Sequence, residues 1–152
     1  MNIRELLSES SIEIGAELFS KDEALDKLVS LQNIQDKTAL REEIRDIFKV
    51  YADKDNYPVY LHCSIGTDRT GLVSYLMGAL LGIHYDDLYK DYLFSNFGNI
   101  GSSRDESAII KYQNTLKGYK KKTLAECAEA YLLDIGLTSS EVASIRETMI
   151  EK

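Results

Sequence analysis

Apolar positions recur at helical spacing through most of the chain. Over 36–53, Leu40, Ile44, Ile47, Phe48 and Tyr51 share one face, the pattern of an amphipathic helix, and Asp36 is a suitable N-cap. Leu25, Leu28 and Leu31 predict an earlier helix over 21–32. The pattern changes at 59–62, where Val59 and Leu61 alternate with Tyr60 and His62. A period of two predicts a short buried strand, entered through the turn residues before Pro58. Apolar residues then run almost without a break over 69–82, as in a helix buried on all sides, with Gly82 as its C-terminal stop. Further helices are predicted over 84–97, over 102–121 with a cap at Ser102 or Ser103, over 123–136, and over 138–152. Residues 11–19 are a weaker strand candidate, and 1–20 otherwise reads as irregular.

The 152 residues suffice for one domain with a sizeable core, so 1–152 is read as a single domain. Hydrophobic residues at 44% and charged residues at 28% place it among soluble globular chains. No apolar run is long enough to span a bilayer. The opening MNIRELLSES carries charges where a signal peptide needs an apolar centre, which predicts a cytoplasmic protein. A net charge of −7 argues against a nucleic-acid partner. It does not exclude a small anion, which a local nest of amides and one arginine can hold on an acidic protein. The two cysteines, Cys63 and Cys127, form no disulfide framework and are expected as free thiols.

The chemistry concentrates where the alternating run meets the buried helix, in YLHCSIGTDRTG. Strand, short loop and helix together gather free amides and a positive helix end at one point. Gly66 allows the backbone to turn close to a ligand. Arg69 opens the helix, and its planar fork can hold two phosphate oxygens. Cys63 lies at the base of this nest, where amides, dipole and cation all favour the thiolate. Beneath a bound phosphoryl group such a thiolate is a nucleophile in place.

The stretch HCSIGTDRTG resembles the Cys-x5-Arg phosphate loop of the protein-tyrosine phosphatase superfamily, and within it the bacterial tyrosine phosphatase family whose loop reads His-Cys-x-x-Gly-Lys-Asp-Arg-Thr-Gly. His62, Gly66, Asp68, Thr70 and Gly71 agree as well as Cys63 and Arg69. Cys127 is an internal control, since the residue six positions on is Leu133. The similarity extends through LLGIHYDDLYKDYLFSN and YLLDIGLTSSEV, roughly the last two-thirds of the chain. It implies an α/β fold, mostly helical, with a strand–phosphate loop–helix core. It also implies a cysteine-dependent phosphatase acting on phosphotyrosine, and on phosphoserine or phosphothreonine as further substrates, in a protein or a small phosphomonoester. Cys63 would form a phosphocysteine. The loop residues Ser64, Ile65, Gly66, Thr67, Asp68 and Arg69 would bind the phosphate, with Arg69 stabilising the transition state. Thr70 would assist the sulfur as leaving group, His62 would order the loop, and Asp68 is the candidate general acid. No cofactor and no metal is implied.

Two features depart from the family pattern. Thr67 stands where the family usually has lysine, which argues against phosphoinositide head groups. Family members also carry a longer N-terminal half than the 62 residues that precede Cys63 here, so the resemblance implies a small or truncated sheet. Two alternatives follow. One is a phosphate-binding pseudophosphatase fragment without efficient turnover. The other is sulfur transfer of the rhodanese type, whose loops are one residue shorter between cysteine and arginine. Neither the physiological substrate nor the oligomeric state is encoded in any motif.

Overall fold

The computed structural model describes residues 37–98 and 103–150. Within them the chain forms six α-helices: α1 (Lys37–Ala52), α2 (Arg69–Leu80), α3 (Tyr85–Phe94), α4 (Ser107–Lys117), α5 (Leu124–Asp134) and α6 (Ser139–Met149). Short 3-10 turns follow α1 at Lys54–Asn56 and α3 at Ser95–Phe97. The chain divides into two compact units, Met1–Tyr60 and Leu61–Lys152. The helix predicted over 21–32, the strand candidate at 11–19 and the Asp36 cap lie outside the described residues.

In the first unit the helical stripe of α1 is present, with Ile44, Phe48 and Tyr51 buried. Leu40, assigned to the same face, is exposed. The helix hands over to its turn through side chains. Asn56 Nδ2 donates to the Val50 carbonyl at 3.0 Å and the Tyr57 hydroxyl to the Tyr51 carbonyl at 2.9 Å, so two carbonyls left over at the helix end gain donors.

The second unit is built around α2. Its apolar residues extend round the whole cylinder, and Val73, Leu76, Ala79 and Leu80 are all buried, as expected of a helix with neighbours on several sides. α2 packs on α3 and α5, α5 also packs on α4 and α6, and together these contacts form the core. Two glycines allow α3 to come close. A Cβ on Gly71 would lie 3.2 Å from the Tyr92 ring, and one on Gly78 would overlap Leu88. Gly71 and Gly78 thus face Tyr92 and Leu88, one turn apart on α3. α2 ends where Gly82 takes φ +85°, a left-handed conformation that an L side chain resists. The Ile83 amide donates back to the Gly78 carbonyl at 2.9 Å and the Gly82 amide to Ala79 at 3.1 Å, the Schellman pair that satisfies the helix end. Arg146 of α6 adds a cation there, with Nε donating to the Leu80 carbonyl at 3.3 Å and Nη1 to Glu129 Oε2 at 2.7 Å. Capping boxes start the last two helices, Thr123 with Glu126 and Thr138 with Glu141.

Two expectations differ from the described residues. Residues 59–62 are not in a strand, and no strand occurs among the described residues. A strand exists only through the hydrogen bonds of a partner, and no described segment supplies one; the alternation of Val59 and Leu61 encodes burial of one face but not the neighbour. The helix over 102–121 starts later, at Ser107. The backbone of Arg104 is held elsewhere: its amide donates to Asn96 Oδ1 at 2.6 Å and its carbonyl accepts from Asn96 Nδ2 at 2.8 Å. Asp105 then serves the first turn, accepting from the Ser107 amide at 2.8 Å.

Candidate active site

The segment after Leu61 leads directly into a loop whose amides turn inward before α2 begins. Gly66 sits at φ +85° with open space where a Cβ would be. It is therefore the backbone conformation, not crowding, that calls for glycine. This turn brings the Gly66 amide to 3.2 Å from Cys63 Sγ, which accepts its hydrogen bond. The Asp68 carbonyl accepts the first helical bond from Leu72 at 2.9 Å. Arg69 and Thr70 are then the first residues of α2, where amides have no intrahelical acceptor.

The thiol of Cys63 responds to this setting. Burial pushes its pKa up, but the Thr70 hydroxyl and the amides of Thr70, Gly66 and Ile65 donate toward the sulfur and outweigh burial, bringing it down to about 7. The Gly66 amide is the firm contact. The Thr70 hydroxyl is a looser one: its Oγ1 is buried without a well-formed hydrogen bond, yet it lies near enough to the sulfur to lower its pKa. Cys127, by contrast, is buried within α5.

The structure thus brings Cys63, Ile65, Gly66 and Thr70 together around one sulfur. Arg69 is half-buried at the start of α2, while His62, Ser64 and Asp68 are exposed. Thr67 is different, with its side chain buried at 4% exposure. Its hydroxyl points to a residue that sequence reasoning missed. Arg104 Nε and Nη2 donate to Thr67 Oγ1 at 3.1 and 2.9 Å, and Nη2 donates also to Asp68 Oδ2 at 3.1 Å. Nothing in the local sequence signals this pairing, because Arg104 lies 36 residues beyond Asp68. The one hint is that 104 falls in a polar stretch where a helix had been expected.

Beside the loop is a cavity of about 80 Å³, lined by Gly66, Thr67, Gly71, Tyr75, Asp91 and Tyr92 among others. The Tyr75 hydroxyl is buried without a hydrogen-bond partner; burial and the nearby Tyr85 push its pKa up to about 12. Among the described residues, no group of three or more His, Cys, Asp or Glu is placed to hold a metal ion, and no helix is long and apolar enough to cross a membrane.

The Cys63 sulfur thus accepts from the Gly66 amide and lies six residues ahead of Arg69, the first residue of α2. Residues 10–151 match the model of the tyrosine phosphatase family. The chain belongs to that family, and the match reaches well upstream of the two-thirds in which the resemblance was legible. No curated protein and no solved structure matches the chain.

Proposed function

We propose that the protein is a cysteine-dependent phosphatase that hydrolyses phosphotyrosine, with phosphoserine, phosphothreonine and small phosphomonoesters as further substrates. The observation that carries this reading is the amide-ringed Cys63 with its pKa near 7, in a chain of the tyrosine phosphatase family.

The residues divide the work as follows. The Cys63 thiolate attacks phosphorus in line; the sulfur–phosphorus bond forms as the bond to the leaving oxygen breaks. The loop amides and Arg69 hold the three non-bridging oxygens as negative charge shifts among them. Asp68 donates a proton to the leaving oxygen. Water then attacks the phosphocysteine and gives a proton to Asp68. The sulfur–phosphorus bond breaks, the thiolate is restored with Thr70 as a donor to the departing sulfur, and inorganic phosphate leaves. No cofactor enters these steps, and the loop with Arg69 neutralises the phosphate.

Turnover of para-nitrophenyl phosphate, its inhibition by vanadate, and the Cys63→Ser variant test this reading. Hydrolysis that is vanadate-sensitive and lost in Cys63→Ser, with vanadate still bound by the variant, is the expected result. Vanadate binding without any turnover in the wild type would favour a pseudophosphatase. Activity that survives in Cys63→Ser would rule the mechanism out.

A further inference from the structure

We propose that Arg104 is a positioning residue that holds the anion-binding loop in its working shape from outside the loop. The inference rests on the phosphatase reading of the loop and extends it to a residue beyond the Cys63–Arg69 motif.

The geometry is specific. Arg104 places two guanidinium nitrogens on Thr67 Oγ1 and shares one of them with Asp68 Oδ2. Its side chain is largely enclosed, at 15% exposure, while that of Asp68 is at 60%. Thr67 is buried, so its hydroxyl turns into the protein while its backbone stays in the loop. A planar fork that engages two consecutive loop residues restrains the loop in two directions, which a single point charge does not do. Thr67 and Asp68 lie between Gly66 and Thr70, whose amides converge on Cys63 Sγ. Fixing the middle of the loop therefore fixes the direction of the amides on both sides.

Arg104 is itself held. Asn96 bonds both its amide and its carbonyl, so the 3-10 turn after α3 sets where the guanidinium is delivered. Tyr92 and Tyr112 both lie close enough to Arg104 and Asp68 for those charges to act on their hydroxyls, with Arg104 lowering and Asp68 raising their pKa. Burial is the main cause that pushes both tyrosines up, so they are neutral at pH 7. The Arg104 guanidinium is then the cation held behind the loop.

The test uses two measurements that need no turnover: the pH midpoint of Cys63 alkylation by iodoacetamide, and vanadate affinity. Arg104→Ala removes the fork. The midpoint should rise by about one pH unit and vanadate binding should weaken about tenfold, the worth of a charged hydrogen bond. Arg104→Lys keeps the charge but not the fork and should recover only part of the binding. Thr67→Val removes the acceptor without removing the charge, and should move both values the same way by a smaller amount. Circular dichroism shows whether each variant keeps its helices. If Arg104→Ala does not fold, Thr67→Val decides: wild-type midpoint and vanadate affinity in that variant overturn the inference. Wild-type values in a folded Arg104→Ala overturn it as well. The phosphatase reading fails separately, through absence of turnover in the wild type, and a wild type without turnover still reports on Arg104 through these two measurements.

Discussion

Thr70→Val separates the chemistry of the loop from its stability, because the two should move in opposite directions. Threonine and valine share shape and β-branching, so at the second position of α2 only the hydroxyl is removed. In the native protein that hydroxyl is buried without a well-formed partner, a state that costs about 1–3 kcal/mol relative to a solvated hydroxyl. Its return is at the sulfur, where it helps bring the Cys63 pKa to about 7 against burial. A hydrogen bond to a charged group contributes about 1.5–3 kcal/mol. The Thr70 hydroxyl makes no well-formed bond, so the low end applies, and at about 1.4 kcal/mol per pH unit the Cys63 midpoint should rise by about one unit. At pH 7 the thiolate fraction would then fall from about a half to about a tenth.

The sign for stability follows from linkage. Cys63 has a folded pKa below its reference value of 9.0. Its thiolate therefore contributes stability that is fully present above pH 9 and lost as pH falls through about 7. Thr70→Val diminishes that contribution while removing the unpartnered hydroxyl. The variant should be more stable than the wild type by about 1 kcal/mol at pH 6, or about 3 °C in Tm, with the gain shrinking toward pH 9. The assays are iodoacetamide alkylation against pH, with buried Cys127 as the unreactive control, and thermal melts at pH 6 and 9. A variant with an unchanged Cys63 midpoint and a lower Tm at pH 6 would show that the Thr70 hydroxyl serves the fold and not the sulfur.

Other expectations follow from single contacts. Tyr75→Phe removes a buried hydroxyl that has no partner, so urea unfolding should show equal or greater stability, by up to about 1 kcal/mol; a loss of that size would mean that water in the adjoining cavity satisfies it. Arg146→Ala frees the Leu80 carbonyl and the Glu129 carboxylate, and should cost about 1–2 kcal/mol in the same assay, discounted for the pair's partial exposure. Asp68→Asn should slow alkyl phosphates and phosphotyrosine far more than para-nitrophenyl phosphate, whose leaving group needs little protonation; an equal loss on all three would assign Asp68 to holding Arg104 alone.

Local signals were readable and remote ones were not. The anion loop was legible because the residues that build it are contiguous. Gly66 supplies the turn, and Arg69 and Thr70 start the helix by chain connectivity alone. Gly82 and Thr138 marked helix boundaries for the same reason, since a cap bonds within its own turn. The strand expected over 59–62 has no pairing segment among the described residues, because alternation reports burial, whereas pairing depends on a second segment. The start of α4 was misplaced because serine at 102 or 103 satisfies the local rule, while Asn96 holds the backbone of Arg104. The grip of Arg104 on Thr67 and Asp68 was invisible for a related reason: it depends on how α3 ends and where it delivers the chain, not on any spacing near the loop.

In the proposed mechanism Cys63 carries the phosphoryl group. Rapid acid quench during turnover of a phosphotyrosyl peptide, followed by peptide mapping of the trapped protein, tests it most directly. Phosphate attached to the peptide that contains Cys63 is expected, absent in Cys63→Ser and more abundant in Asp68→Asn if breakdown becomes the slower step. Phosphate on another residue, or turnover with no phosphoenzyme while water oxygen enters the product in one step, would contradict it.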